Sequence, residues 1–176
     1  MLTLETHEEE TFDLVTHVKQ HPATVVVAFR GPWCPYCRAY WDDLADVAGD
    51  FQKLGAVVFG LSADKPKALR RFRRKRALPF TFVSDPKLKS RDVLGIRREK
   101  YHPMSSEYKK GAFLLPAVFV WTQDGKLAYQ WRMKAPSFEN GFGAANRPKP
   151  EKILDEIKKA LAVAKQKAAG AEGQAG

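Results

Sequence analysis

The sequence predicts an α/β fold, a central mixed β-sheet flanked by helices, and three observations predict it. The β-branched run Val25–Phe29, a helical stretch through Val47 and a second apolar run, Ala56–Leu61, make one strand–helix–strand unit, whose crossover leaves its strands parallel. Ala117–Thr122 and Lys126–Arg132 flank Asp124-Gly125, a hairpin signal that adds antiparallel strands. Pro150-Glu151 opens a C-terminal helix with Ile153, Leu154, Ile157 and Leu161 on its apolar face. At 176 residues the chain is long enough to bury one substantial core. The expected organisation is a loose leader over 1–11, a folded domain over 12–163 and a disordered tail over 164–176, where Ala, Gly and Lys carry no apolar stripe.

Taken in order, Phe12 to Lys19 forms a short helix with apolar Phe12, Leu14, Val15 and Val18. The Val25–Phe29 strand is broken by Gly31-Pro32, and the helix after it starts at Pro35, where a missing N–H costs nothing. Its apolar positions are Tyr40, Trp41, Leu44 and Val47, and the helical region ends before Gly55. Ala56–Leu61 is the second buried strand. A helix near Asp64, with Pro66 in its first turn, runs to just before Pro79. Phe80–Val83 is a short strand, and Lys87–Leu94 a short helix closed by Gly95. From Arg97 to Leu115 the periodicity vanishes and a basic loop with His102-Pro103 and Gly111 is expected; loops of that length are usually functional. Ala135 to Pro150, rich in Gly, Pro and Asn, is a second loop.

The chemistry concentrates in Trp33-Cys34-Pro35-Tyr36-Cys37. Helix positions three apart lie about 5–6 Å from one another, within the Cα separation of about 4.4–6.8 Å that a disulfide tolerates. The two thiols can therefore close and reopen with little backbone movement. Cys34 faces the positive end of the helix dipole and the free N–H groups of the first turn, which favour a thiolate. Cys34 is thus the nucleophile and Cys37 the resolving thiol, with Arg30 and Arg38 as candidate supports for the thiolate. Zinc needs four ligands, whereas the chain has two Cys and four His (His7, His17, His21, His102), paired only as His17 and His21. No metal and no cofactor are expected.

The N-terminus is acidic, with no basic region before an apolar run, and no stretch reaches membrane-spanning length; a cytoplasmic location with no membrane partner is the expectation. In a reducing compartment a Cys-x-x-Cys is more often catalytic than structural. The net charge of +10 draws attention to nucleic acid, since Lys65, Lys67, Arg70, Arg71, Arg73, Arg74, Lys75 and Arg76 crowd one segment. Ala68, Leu69 and Phe72 recur there at helical spacing, however, which makes the segment an amphipathic helix with a solvated basic face. Nucleic acid is the less favoured partner, because no recognised binding motif accompanies the charge.

Pro116 stands immediately before a buried strand, where a proline needs a special reason, and a cis Leu115–Pro116 bond would supply one. Trp-Cys-Pro-Tyr-Cys, a strand–helix–strand unit and a proline opening a hairpin together resemble the thioredoxin fold. That resemblance implies a cis proline lying against the Cys pair, and a groove for the partner formed by Trp33, Pro35, Tyr36, Leu115 and Pro116. Leu61-Ser-Ala-Asp-Lys-Pro, Leu78-Pro-Phe-Thr-Phe-Val-Ser-Asp-Pro and Val93-Leu-Gly-Ile extend it: over residues 20–162 the chain resembles the peroxiredoxin-like (alkyl hydroperoxide reductase/thiol-specific antioxidant) branch. Cys-Pro-Tyr-Cys also resembles glutaredoxin, but glutaredoxins are shorter and lack the inserted strand and helix.

The chain departs from the peroxiredoxin pattern, Pro-x-x-x-Thr-x-x-Cys with an Arg opening a later strand. With Cys37 in the peroxidatic place, Cys34 stands for the Thr, Arg30 for the Pro and Pro116 for the Arg. The first expectation is therefore a thiol:disulfide oxidoreductase in which Cys34 attacks a disulfide of a protein or a low-molecular-weight partner and Cys37 resolves it, with thioredoxin or glutathione as reductant. The alternative is a thiol peroxidase, an antioxidant enzyme using the same pair. A third, of another class, is a non-enzymatic redox sensor or nucleic-acid-binding module built on the basic helix 65–76.

Overall fold

In the computed structural model, residues 2–99, 112–134 and 146–172 are described. Seven strands form one mixed sheet in the order β2-β1-β5-β4-β3-β8-β9, where β1 is Thr3–Thr6, β2 Thr11–Asp13, β3 Ala23–Ala28, β4 Ala56–Ser62, β5 Thr81–Ser84, β8 Ala117–Thr122 and β9 Leu127–Arg132. β3, β4 and β5 run parallel, and β8 pairs antiparallel with β3, from Ala23 opposite Thr122 to Ala28 opposite Ala117. β3, the first strand of the strand–helix–strand unit, therefore lies between that unit's second strand, β4, and the hairpin strand β8.

Alternation along β3 divides the core in two. Val25, Val27 and Phe29 face helices α2 (Pro35–Asp46), α4 (Pro66–Lys75) and α6 (Pro150–Glu172), against Trp41, Leu44, Leu69, Phe72, Ile153 and Ile157. Val26 and Ala28 face α1 (Leu14–Gln20) and α5 (Lys89–Leu94), against Leu14, Val18 and Leu94. Between α2 and β4 lies α3 (Ala48–Lys53), which contributes Phe51. On the first face, Phe29, Trp41, Phe72 and Phe82 meet ring to ring at centroid distances of 4.8–5.9 Å. Gly60 of β4 leaves the room: a Cβ there would lie 2.8 Å from Trp41 and collide with Phe82.

Several expectations need correction. The leader holds two strands, β1 and β2, and β1 pairs antiparallel with β5 from Glu5 opposite Ser84, so the first residues extend the sheet. The first helix begins at Leu14 rather than Phe12, because Asp13 caps it through a 2.8 Å bond from the Thr16 N–H and Phe12 belongs to β2. Helix α6 continues to Glu172, through most of the expected tail; residues 173–176 lie outside the described residues. The loop expected over 97–115 contains β6 (Arg98–Glu99) paired with β7 (Phe113–Leu114). Residues 100–111, with His102 and Gly111, and residues 135–145 of the second loop lie outside the described residues.

The Leu115–Pro116 bond is trans. The Leu115 N–H donates to the Arg97 carbonyl at 2.8 Å and the Pro116 carbonyl accepts from Met133 at 2.9 Å, so an extended chain satisfies both neighbours without a cis turn. No helix among the described residues is long and apolar enough to cross a membrane. The basic segment is α4 with its capping residues Lys65 and Arg76, and three of the segment's arginines are engaged. Arg70 bonds the His7 carbonyl and pairs with Glu9 at 3.1 Å, Arg73 bonds the Phe80 carbonyl at 3.0 Å, and Arg76 pairs with Asp42 of α2.

Candidate active site

The motif sits at the C-terminal end of β3. Beyond Phe29 the chain turns at Gly31, whose φ of 153° and crowded surroundings suit only glycine; a Cβ would come within 2.5 Å of Trp33 Nε1 and 2.7 Å of the Asp64 carboxylate. A 3.2 Å bond from the Cys34 N–H to the Gly31 carbonyl closes this turn. Cys34 then stands at the N-cap of α2 with Pro35 at its first position, and its carbonyl accepts the Arg38 N–H at 3.1 Å. The helix thus starts between the two sulfurs, as the spacing requires.

Both sulfurs are buried: Cys34 is 1% exposed and Cys37 0%. Their electrostatics differ. The Cys34 thiol, ordinarily at 9.0, is lowered to about 5, first by a hydrogen bond from the Cys37 thiol and then by the Cys37 backbone N–H, Arg147 and Arg30, against the opposing effect of burial. Burial and the bond to Cys34 instead push the Cys37 thiol up. One proton is shared unequally, leaving a thiolate at Cys34 and a thiol beside it at Cys37. Chemically, such an arrangement can let one sulfur attack while the other stands ready to close a disulfide.

Of the two arginines singled out in the sequence, Arg30 is buried at 3% and its guanidinium lies 3.9 Å from the Met133 sulfur, within reach of Cys34's field. Arg38 gives its backbone to α2, and the principal cations acting on Cys34 are Arg147 and Arg30. Of the five groove candidates, Tyr36 is 57% exposed, while Trp33 and Pro35 are half-buried. Trp33 meets Phe113 edge to face at 5.3 Å. The register of β3 with β8 brings Pro116 to the same end of the sheet as the motif. Leu115, at 1% exposure, packs with Phe113 and Met133 and offers no surface to a partner, which corrects its placement in a groove.

Sequence reasoning missed Arg147. It reaches the motif from the segment before α6, donating to the Cys37 sulfur and to the Tyr36 carbonyl, each at 3.2 Å, with its guanidinium over the Tyr40 ring at 5.4 Å. Tyr40 donates to the Pro148 carbonyl at 2.5 Å, so the same side chain of α2 holds the backbone one residue beyond the arginine. Burial, more than the neighbouring arginine can offset, raises the Tyr40 phenol and keeps it a donor. The signal that could have found Arg147 is its setting: an arginine fixed between Asn146 and the prolines 148 and 150, in a stretch with few other charges.

With this geometry in view, comparison with known proteins gives a consistent result. Residues 1–130 match the AhpC/TSA family. A Mycobacterium tuberculosis protein with a provisional peroxiredoxin name is 34% identical over 112 residues, 63% of this chain and 69% of its own. The chloroplastic peroxiredoxin Q of Populus jackii is 33% identical over 162 residues, 90% of this chain and 63% of its own. Among solved structures, the bacterioferritin comigratory protein of Xanthomonas campestris, studied for alkyl peroxide reduction, superposes with a TM-score of 0.70 at 19% identity, covering 91% of this chain and 92% of that one.

Proposed function

The chain belongs to the AhpC/TSA family, and from that premise we propose that it is a thiol peroxidase reducing small organic hydroperoxides with the Cys34–Cys37 pair. The observation that carries this reading, beside the family, is the burial of both sulfurs. A protein disulfide must bring a bulky sulfur pair in line with the attacking thiolate, whereas a hydroperoxide presents two oxygens and needs only a narrow approach. The comparisons accordingly favour the second of the activities read from the sequence over thiol:disulfide exchange with a protein.

The family pattern would put its peroxidatic cysteine at Cys37, but the lowered thiol is that of Cys34. It is the Cys34 thiolate that attacks the terminal oxygen of the hydroperoxide; the O–O bond breaks, the alkoxide departs as the alcohol after taking a proton, and Cys34 is left as a sulfenic acid. The Cys37 thiol then attacks the Cys34 sulfur, water leaves, and a disulfide forms. Two electrons have passed from the sulfurs to the peroxide. Two thiols of a thioredoxin-like reductant return them, which suits a reducing compartment.

Mixing the reduced protein with one equivalent of cumene hydroperoxide tests this. We expect the loss of two thiols per peroxide, an internal disulfide by mass, and a trappable sulfenic acid at Cys34 in Cys37→Ser. Oxidation no faster than that of a free thiol, or undiminished peroxide consumption by Cys34→Ser, would refute it.

A further inference from the structure

We propose that Arg147 is a catalytic residue of this reaction: its guanidinium holds the Cys37 sulfur and receives an oxygen of the hydroperoxide as the O–O bond breaks. The proposal rests on the peroxidase reading. Its first support is contact, since one terminal nitrogen donates to Cys37 Sγ at 3.2 Å and the other to the Tyr36 carbonyl at 3.2 Å. The second is an unspent donor. Arg147 Nε is buried and has no hydrogen-bond partner among the described residues. In a planar guanidinium this N–H lies on the same edge as the nitrogen that meets the sulfur, so the edge facing the reacting pair has one donor occupied and one available for an oxygen.

The third support is immobilisation. Tyr40 holds the arginine by its ring face and the following residue by the bond to the Pro148 carbonyl, so the fork is positioned before any substrate arrives. The chemistry calls for such a group. An alkoxide leaving in a water-poor site needs a donor aimed at it, and the later strand opens on Pro116, which supplies neither charge nor N–H.

Arg147→Met and Arg147→Lys separate the two duties, read by the pH profile of Cys34 alkylation with iodoacetamide and by the rate of cumene hydroperoxide consumption. We expect the alkylation midpoint to rise by about one pH unit or more in Arg147→Met and to be largely restored in Arg147→Lys, which keeps the charge. At a pH where Cys34 is fully thiolate in every variant, both should still consume peroxide at least about tenfold more slowly than wild type, because neither offers the forked edge. An Arg147→Met protein with wild-type rate at that pH overturns the proposal. Tyr40→Phe, which keeps the ring and releases Pro148, serves if Arg147→Met fails to fold; it should lose rate in the same direction, and an unchanged rate counts against the proposal equally. Should wild type itself leave the peroxide untouched, the peroxidase reading fails, while the alkylation midpoints still report whether Arg147 governs the thiolate.

Discussion

The unequal sharing of a proton between the two sulfurs makes a quantitative forecast for Cys37→Ala. A thiol titrating at about 5 is present at neutral pH as about a hundred thiolates for every thiol, each pH unit being tenfold. The foremost cause is the hydrogen bond from the Cys37 thiol, and a bond to a charged acceptor contributes about 1.5–3 kcal/mol. At about 1.36 kcal/mol per pH unit, its removal should raise the Cys34 midpoint by about 1–2 units. Burial, which opposes ionisation, remains, and so do the residue-37 backbone N–H and the arginines, so the midpoint should stay below that of an ordinary thiol. The assay is the initial rate of iodoacetamide alkylation as a function of pH, with the single modified residue located by mass spectrometry. A Cys37→Ala midpoint equal to that of wild type would show that the neighbouring thiol does not stabilise the anion, and would refute the assignment of the two sulfurs to different duties.

Two further outcomes follow from the same packing and electrostatics. Cys34 titrates lower in the folded chain than its ordinary 9.0, so the stability it adds is complete above that value and is lost as pH falls toward about 5, on the order of 5 kcal/mol over the span. Urea midpoints of the reduced wild type should therefore decline across this range more steeply than those of Cys34→Ser, and parallel slopes would contradict it. Gly60→Ala places a methyl group against Phe82 and 2.8 Å from Trp41; overpacking of this kind costs about 1–3 kcal/mol and should lower the urea midpoint, whereas an unchanged midpoint would mean the aromatic cluster yields freely.

The parts of this molecule that announce themselves in the sequence are those with local causes. Val25–Phe29, Pro35 and the Cys34/Cys37 interval write the strand, the helix start and the facing thiols in adjacent letters, and Asp124-Gly125 does the same for the hairpin. β1 escapes notice because Thr3-Leu4-Glu5-Thr6 is four residues of mixed polarity, and its partner β5 lies some eighty positions away. The far end of α6 escapes because Ala, Lys and Gln favour helix without needing an apolar stripe, so a search for stripes passes over it. Pro116 misleads in the other direction, since a proline before a buried strand is compatible with a trans bond when its neighbours' hydrogen bonds are met on both sides. Arg147 could not be inferred from periodicity, because what matters about it is a meeting with Tyr36, Cys37 and Tyr40 that only the folded chain arranges.

That meeting also has a consequence for how the protein is made. Cys37 and Arg147 are 110 residues apart. On a ribosome adding roughly 5–20 residues per second, the sulfurs emerge about 5–20 s before the arginine that will rest against them. A newborn chain thus carries its most oxidisable atoms without their guardian until the segment leading into α6 has followed them out.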